Sequence, residues 1–365
     1  MTTQPMPYYP PTPIAIAPNA PTVQQDAQRR GLRRLGNVFG LALIIPQIIL
    51  TALIVIATMV GGFSAALSGD LSDVTSVIDW MSSPMGGMLF QLTFLFLIFV
   101  PSFAIAARKL RPRDHSGNRE GKSLLGLYAK PKSTYMAIAT FLLAMGLFML
   151  GNFATSFING WISPAGLPEM GFSMPGGWMG TAVYFLTVAA EPAFVEEFVF
   201  RGVMLSHLRK YGDVTALLGS SILFGLMHGN FVQIPFAFVG GLGMGYAVLA
   251  TNSIWPAVVA HFANNALSCL MDYIPSRWQA EANIMYTFIF LAAGLAGAFM
   301  LLRRNPHAFR STGESKKAKA ESAADLPTKK RLSAFLAAPG MIAAIIFYLF
   351  EAFMLWLSPI LTKLS

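Results

Sequence analysis

One apolar run of this chain reads Glu191-Pro192-Ala193-Phe194-Val195-Glu196-Glu197-Phe198-Val199-Phe200-Arg201-Gly202. Charged side chains at the centre of a membrane helix cost about 2.5–3.5 kcal/mol each on insertion scales, so two adjacent carboxylates there need a reason. On a helix Glu197 and Arg201 are four residues apart, share a face and can pair. Glu196 points about 100° away. Its neighbours one turn off, Pro192, Ala193, Val199 and Phe200, are all apolar. One carboxylate is therefore tied down and the other is free to act. The plainer reading, an interfacial ion pair with Arg201 snorkelling toward water, accounts for Glu197 and Arg201 as well as a functional one does, but not for Glu196.

Two histidines stand in other apolar runs. His228 ends Phe224-Gly225-Leu226-Met227-His228, and His261 opens His261-Phe262-Ala263-Asn264-Asn265, where His261 and Asn265 share a helix face. The remaining three, His115, His207 and His307, lie in loops or beyond the end of a run. A lone intramembrane histidine is ordinarily a helix–helix hydrogen-bonding residue. Two on separate helices, with an unpaired glutamate on a third, point instead to a shared polar site. Glutamate and histidine can activate a water as a general base and return the proton to a leaving amine. A second histidine and an asparagine can hold the oxyanion formed when water attacks an amide. The same chemistry can run on a divalent metal, and Glu196, His228 and His261 are donors that suit zinc. The His-Glu-x-x-His signature is absent, so such a site would be assembled from three helices.

The elements that must position these groups are membrane helices. Only 12% of the 365 residues are charged and 55% are hydrophobic, about half the charge a soluble chain needs to cover its surface. Apolar runs fall at about 37–62, 87–107, 134–157, 180–202, 214–229, 232–250, 254–271, 283–302 and 335–359, and a span takes about 20 residues. This predicts an all-α, polytopic transmembrane bundle of about eight or nine spans. Pro339 and Gly340 could divide the last run into an interfacial piece and a span. Glycines 219, 225, 229, 240, 241, 243 and 245 would let the central helices approach closely. The predicted organisation is a disordered proline-rich cytoplasmic tail over 1–34, a bundle over 35–302 with its chemical core at about 178–275, a basic cytoplasmic linker over 303–332, and a C-terminal transmembrane segment over 333–365. The net charge of +9 sits in tails and loops. Arg29, Arg30, Arg33, Arg34, the 108–132 loop, Arg209, Lys210 and the 303–331 stretch alternate with loops poor in Lys and Arg, which by the positive-inside rule puts the N-terminus in the cytoplasm of a multi-pass cell-membrane protein. No aromatic residues interleave with the basic ones, which argues against nucleic acid. The single cysteine, Cys269, excludes an intrachain disulfide and a Cys-based zinc cluster.

The three motifs Glu196-Glu197-x-x-x-Arg201, Phe224-x-x-x-His228 and His261-x-x-x-Asn265 resemble, in order and spacing, those of the CAAX-protease and bacteriocin-processing family of intramembrane proteases. The resemblance covers about residues 178–275. It implies an intramembrane endopeptidase with Glu196 as the water-activating base assisted by His228, His261 and Asn265 on the oxyanion, and Glu197 and Arg201 in support. It leaves open whether a metal takes part. The implied substrate is a membrane-embedded or membrane-anchored peptide or protein in the lipid bilayer. Two other classes fit the same residues. One is a transporter or immunity protein that binds an ion or peptide, which would call for a through-path and repeat symmetry. The other is a scaffold docking through residues 1–28. Convergence of Glu196, His228, His261 and Asn265 on one cavity, expected toward the cytoplasmic half, separates the protease from both.

Overall fold

The computed structural model describes residues 21–68, 79–80, 83–110, 129–162, 176–304 and 325–362. The expected tail over 1–20, most of the 108–132 and 158–179 loops and most of the 303–332 linker lie outside them. The described residues form ten helices and no strand. They are α1 Pro21–Ser68, α2 Pro84–Leu110, α3 Thr134–Ile162, α4 over 177–208, α5 Asp213–Leu226, α6 Gln233–Thr251, α7 Trp255–Met271, α8 Gln279–Arg304, α9 Thr328–Leu336 and α10 Pro339–Thr362. Six of them, α1, α2, α3, α6, α8 and α10, are long and apolar enough to cross a bilayer. Their outward faces are apolar: Val55, Ile56, Leu97, Leu295 and Phe299 are exposed, as lipid-facing positions must be. The protein is a multi-pass, all-α membrane bundle.

The remaining predicted spans exist as helices but depart from the simple pattern. α5 has 14 residues and α7 has 17, about 21 and 26 Å of helix. α5 packs against the longer α6, and α7 against α3 and α6. α4 is interrupted by two π-helical segments, Leu186–Ala190 and Phe198–Leu205, on either side of Glu191–Glu197. The division at Pro339 occurs: α9 ends at Leu336 and α10 begins at Pro339, whose ring is tolerated at a first helical position.

The N-terminal boundary differs from expectation. Residues 21–34 belong to α1 rather than to a disordered tail. The prolines end at Pro21, which opens the helix, and the following stretch is rich in Gln, Arg and Leu, all good helix formers. Leu32 and Leu35 are buried in the main core with Phe335 of α9. Gln24 and Gln28 both donate to Asp325, and Gln28 accepts from the Leu326 N–H.

α3 lies at the centre, against α6 on one side and α8 on the other, and α6 also packs on α5. α7 crosses α3 and the first π segment of α4, while α1 pairs with α9 and α10. Gly146 and Gly294 face each other where α3 meets α8, and a Cβ on either would strike the partner's backbone. One end of the bundle collects the charged groups. Arg209 pairs with Asp213 at 3.0 Å and donates to Asn252. Arg331 pairs with Asp325 at 3.0 Å and donates to the Tyr211 carbonyl. Ser253 donates to the Ala129 carbonyl, and Arg304 lies over the Tyr135 ring. The described segments expected on one side of the membrane thus meet at one end, which we term the basic end.

Candidate active site

Glu197 and Arg201 are fully buried and bonded at 2.8 Å, as an i, i+4 pair on one helix face predicts. The guanidinium also donates to the Gly241 carbonyl of α6 at 3.1 Å and lies 4.4 Å above the centre of the Phe224 ring of α5. Arg201 therefore ties α4 to both helices of the α5–α6 hairpin. The same Glu197 oxygen, Oε1, also accepts a bond from His261 Nδ1 of α7 at 3.1 Å, while Oε2 is buried without a partner. With Nδ1–H donating to Glu197, the His261 Nε2 turns toward Glu196, 3.9 Å from its Oε2.

Glu196 makes no hydrogen bond through Oε2, although that atom is buried. It faces a cavity of about 440 Å³ that is also lined by His228, His261, Asn264 and Asn265. Phe224 is the hub of the wall: its ring meets those of Phe200, His228 and His261 edge-on, with centroids 5.2, 5.1 and 5.8 Å away. His228 lies in the turn beyond the end of α5, and its Nδ1 bonds the Phe224 carbonyl at 2.8 Å. That bond makes Nδ1 the donor and leaves Nε2 as an acceptor. The turn needs Gly229, whose φ is +59° and whose missing Cβ leaves room for Glu351 of α10.

Asn265 lines the cavity, but one of its amide hydrogens is committed, at 3.0 Å, to the Val188 carbonyl in the first π segment of α4. A π turn frees a carbonyl from the regular ladder, and such segments recur at functional sites. The neighbouring Asn264 donates to Asn265 Oδ1 at 3.0 Å. Sequence reasoning gave no role to Asn264 or Thr187. Asn264 could have been flagged by its i, i+3 spacing from His261. Thr187 could not, because nothing in the sequence marks the π segment that carries it.

The expected direction of the cavity needs correcting. The cavity does not extend toward the basic end. Its lining comes from the opposite halves of its helices: Asn152 and Thr155 on α3, Thr187 and Val188 on α4, Gln233 and Phe236 on α6, and Ser268 on α7. Glu196 stands 12 residues before Leu208, about 18 Å along the axis. The position of Arg201 one turn further on does not bring the site to the basic face, because α4 continues well past it. As for zinc, among the described residues no three His, Cys, Asp or Glu side chains are gathered as a metal would require. His261 Nδ1 bonds Glu197 and His228 Nδ1 bonds the Phe224 carbonyl, which fixes both rings with Nε2 free, the orientation a metal-ligating histidine usually has. Glu196, His228 and His261 all line the one cavity, and both Nε2 atoms are free of protein hydrogen bonds, so these three would be the residues to hold a divalent metal.

Residues 177–267 match the type II CAAX prenyl endopeptidase Rce1-like family. The match covers α4 through most of α7 and includes all three motifs, so the resemblance to the CAAX-type intramembrane proteases holds over this segment. No curated protein and no solved structure matches the chain. Over these residues the chain is similar to a type II CAAX prenyl endopeptidase.

Proposed function

We propose that the chain hydrolyses peptide bonds within the membrane by a glutamate-activated water, with Glu196 as the base. One observation carries this reading: Glu196 is the carboxylate in the cavity wall that no cation of its own helix bonds, while its neighbour Glu197 bonds Arg201 and His261 through Oε1 and is absent from that wall. A water between Glu196 and His228 can donate one hydrogen to the carboxylate and the other to His228 Nε2. Its lone pair is then left for the amide carbon. Glu196 takes the proton as the carbon–oxygen bond forms and delivers it to the leaving nitrogen as the carbon–nitrogen bond breaks. The second hydrogen of the Asn265 amide, and His261 Nε2 when protonated, are the donors available to the oxyanion. Glu197 and Arg201 touch no reacting atom in this scheme; they fix His261 and Phe224.

The protein is proposed to lie in the cell membrane with the basic end in the cytoplasm, as the positive-inside rule requires. The test is cleavage of membrane-presented peptides by the purified protein. Glu196→Gln, His228→Ala and His261→Ala should each lower kcat by about 10²–10⁴-fold, the usual span for a positioned acid or base. Wild-type rates in Glu196→Gln would end this reading.

A further inference from the structure

We infer that Thr187 and Asn264 form a main-chain recognition subsite, which holds an extended peptide substrate beside Glu196; this rests on the endopeptidase reading above. Both side chains line the cavity, Thr187 fully buried and Asn264 3% exposed. Both carry a buried oxygen with no partner, Thr187 Oγ1 and Asn264 Oδ1. Such orphans cost about 1–3 kcal/mol each unless something fills the need.

Their surroundings explain why each is left free. A threonine inside a membrane helix normally satisfies its hydroxyl on the carbonyl one turn back. Thr93, Thr140, Thr251 and Thr287 do so here, to Leu89, Met136, Ala247 and Asn283. Thr187 does not; it sits in the π segment Leu186–Ala190, where the turn is widened. Asn264 is fixed by a chain of bonds whose polarity is set at its far end. The Val188 carbonyl can only accept, so Asn265 must present its amide nitrogen to it. Asn265 Oδ1 then accepts from Asn264 Nδ2, and Asn264 Oδ1 is left unpaired on the cavity wall. The π segment therefore produces two features at once: a hydroxyl free to donate to a carbonyl and, through Val188, an amide oxygen free to accept from an N–H. A donor and an acceptor on adjacent helices are what the alternating C=O and N–H groups of an extended chain require. The substrate class is a peptide recognised by its backbone, with side-chain identity secondary at this position.

The probe is an unprenylated fluorogenic decapeptide of Ala, Ser and Leu, with its series of single ester-for-amide replacements, assayed on the full-length protein in nanodiscs. Thr187→Val and Asn264→Leu should each raise KM roughly tenfold, the scale of one lost hydrogen bond to a buried group, with kcat changed less than threefold. Thr187→Val is nearly isosteric, which guards against a folding artefact at Asn264. One ester position should raise KM in wild type to the same extent and produce no further rise in Asn264→Leu, as two changes to one bond must. Cleavage that depends on Glu196 but shows unmoved KM in both variants and at every ester position would overturn the subsite and leave the endopeptidase reading standing. Cleavage that survives Glu196→Gln, or no cleavage by wild type, would overturn both.

Discussion

At the residue scale, the site rests on two adjacent glutamates given opposite fates by 100° of helix rotation. Glu197 is enclosed by Arg201 and His261, whereas Glu196 Oε2 has only the His261 ring 3.9 Å away. Glu196→Gln should leave the thermal midpoint of the purified protein within about 1–2 °C of wild type, because no structural hydrogen bond to Oε2 is lost, while removing cleavage. Glu197→Gln should do the reverse in emphasis. It leaves Arg201 buried without its counter-charge, a loss of about 3–5 kcal/mol, and should be seen as reduced yield and a lowered midpoint. Equal midpoints for the two variants would contradict this division. The division was legible in the sequence, since it needs only the i, i+4 rule and the apolar neighbours of Glu196. The partner of Glu197 from α7 was not, because His261 reaches it across helices 64 residues apart.

At the element scale, the working geometry depends on irregular backbone. The π segment Leu186–Ala190 turns Val188 toward Asn265, and the left-handed Gly229 closes the turn that presents His228. Hydrophobic runs gave the helices and their order, but a π segment has the composition of the α-helix around it, so neither interruption of α4 could be read from apolar content. His228 was expected at the end of a span and is found in the turn beyond it, which the left-handed Gly229 closes. Gly229→Ala places a Cβ within 2.6 Å of Glu351 Oε2 at a φ of +59°, a strain of about 1–3 kcal/mol. Differential scanning of that variant should show a lower midpoint, and kcat should fall with it, since His228 moves with the turn. An unchanged kcat would show that the turn does not position His228.

At the scale of the whole molecule, charge asymmetry orders the bundle. The described basic segments around Arg209 and Arg331 meet at one end while the cavity extends from Glu196 toward the other. The sequence showed the alternation of loops but not the depth of the site, because residue counts along α4 do not reveal how far that helix runs past Arg201. With the basic end in the cytoplasm, a membrane-impermeant thiol reagent added to intact cells should label Trp278→Cys and not Lys330→Cys, each in a Cys269→Ala background. Both residues are exposed, at opposite ends of the bundle. The reversed pattern would invert the topology and the side from which substrate enters. We propose that Glu196 activates the water that cleaves the amide without a metal. Peptide cleavage by purified wild-type protein, stripped of metal and held in excess chelator, tests it most directly beside Glu196→Gln. The account predicts that the stripped wild type keeps its rate within about twofold and that Glu196→Gln falls by at least about 10². Loss of wild-type activity in chelator with recovery on added zinc, or a Glu196→Gln protein that cleaves at the wild-type rate, would contradict it.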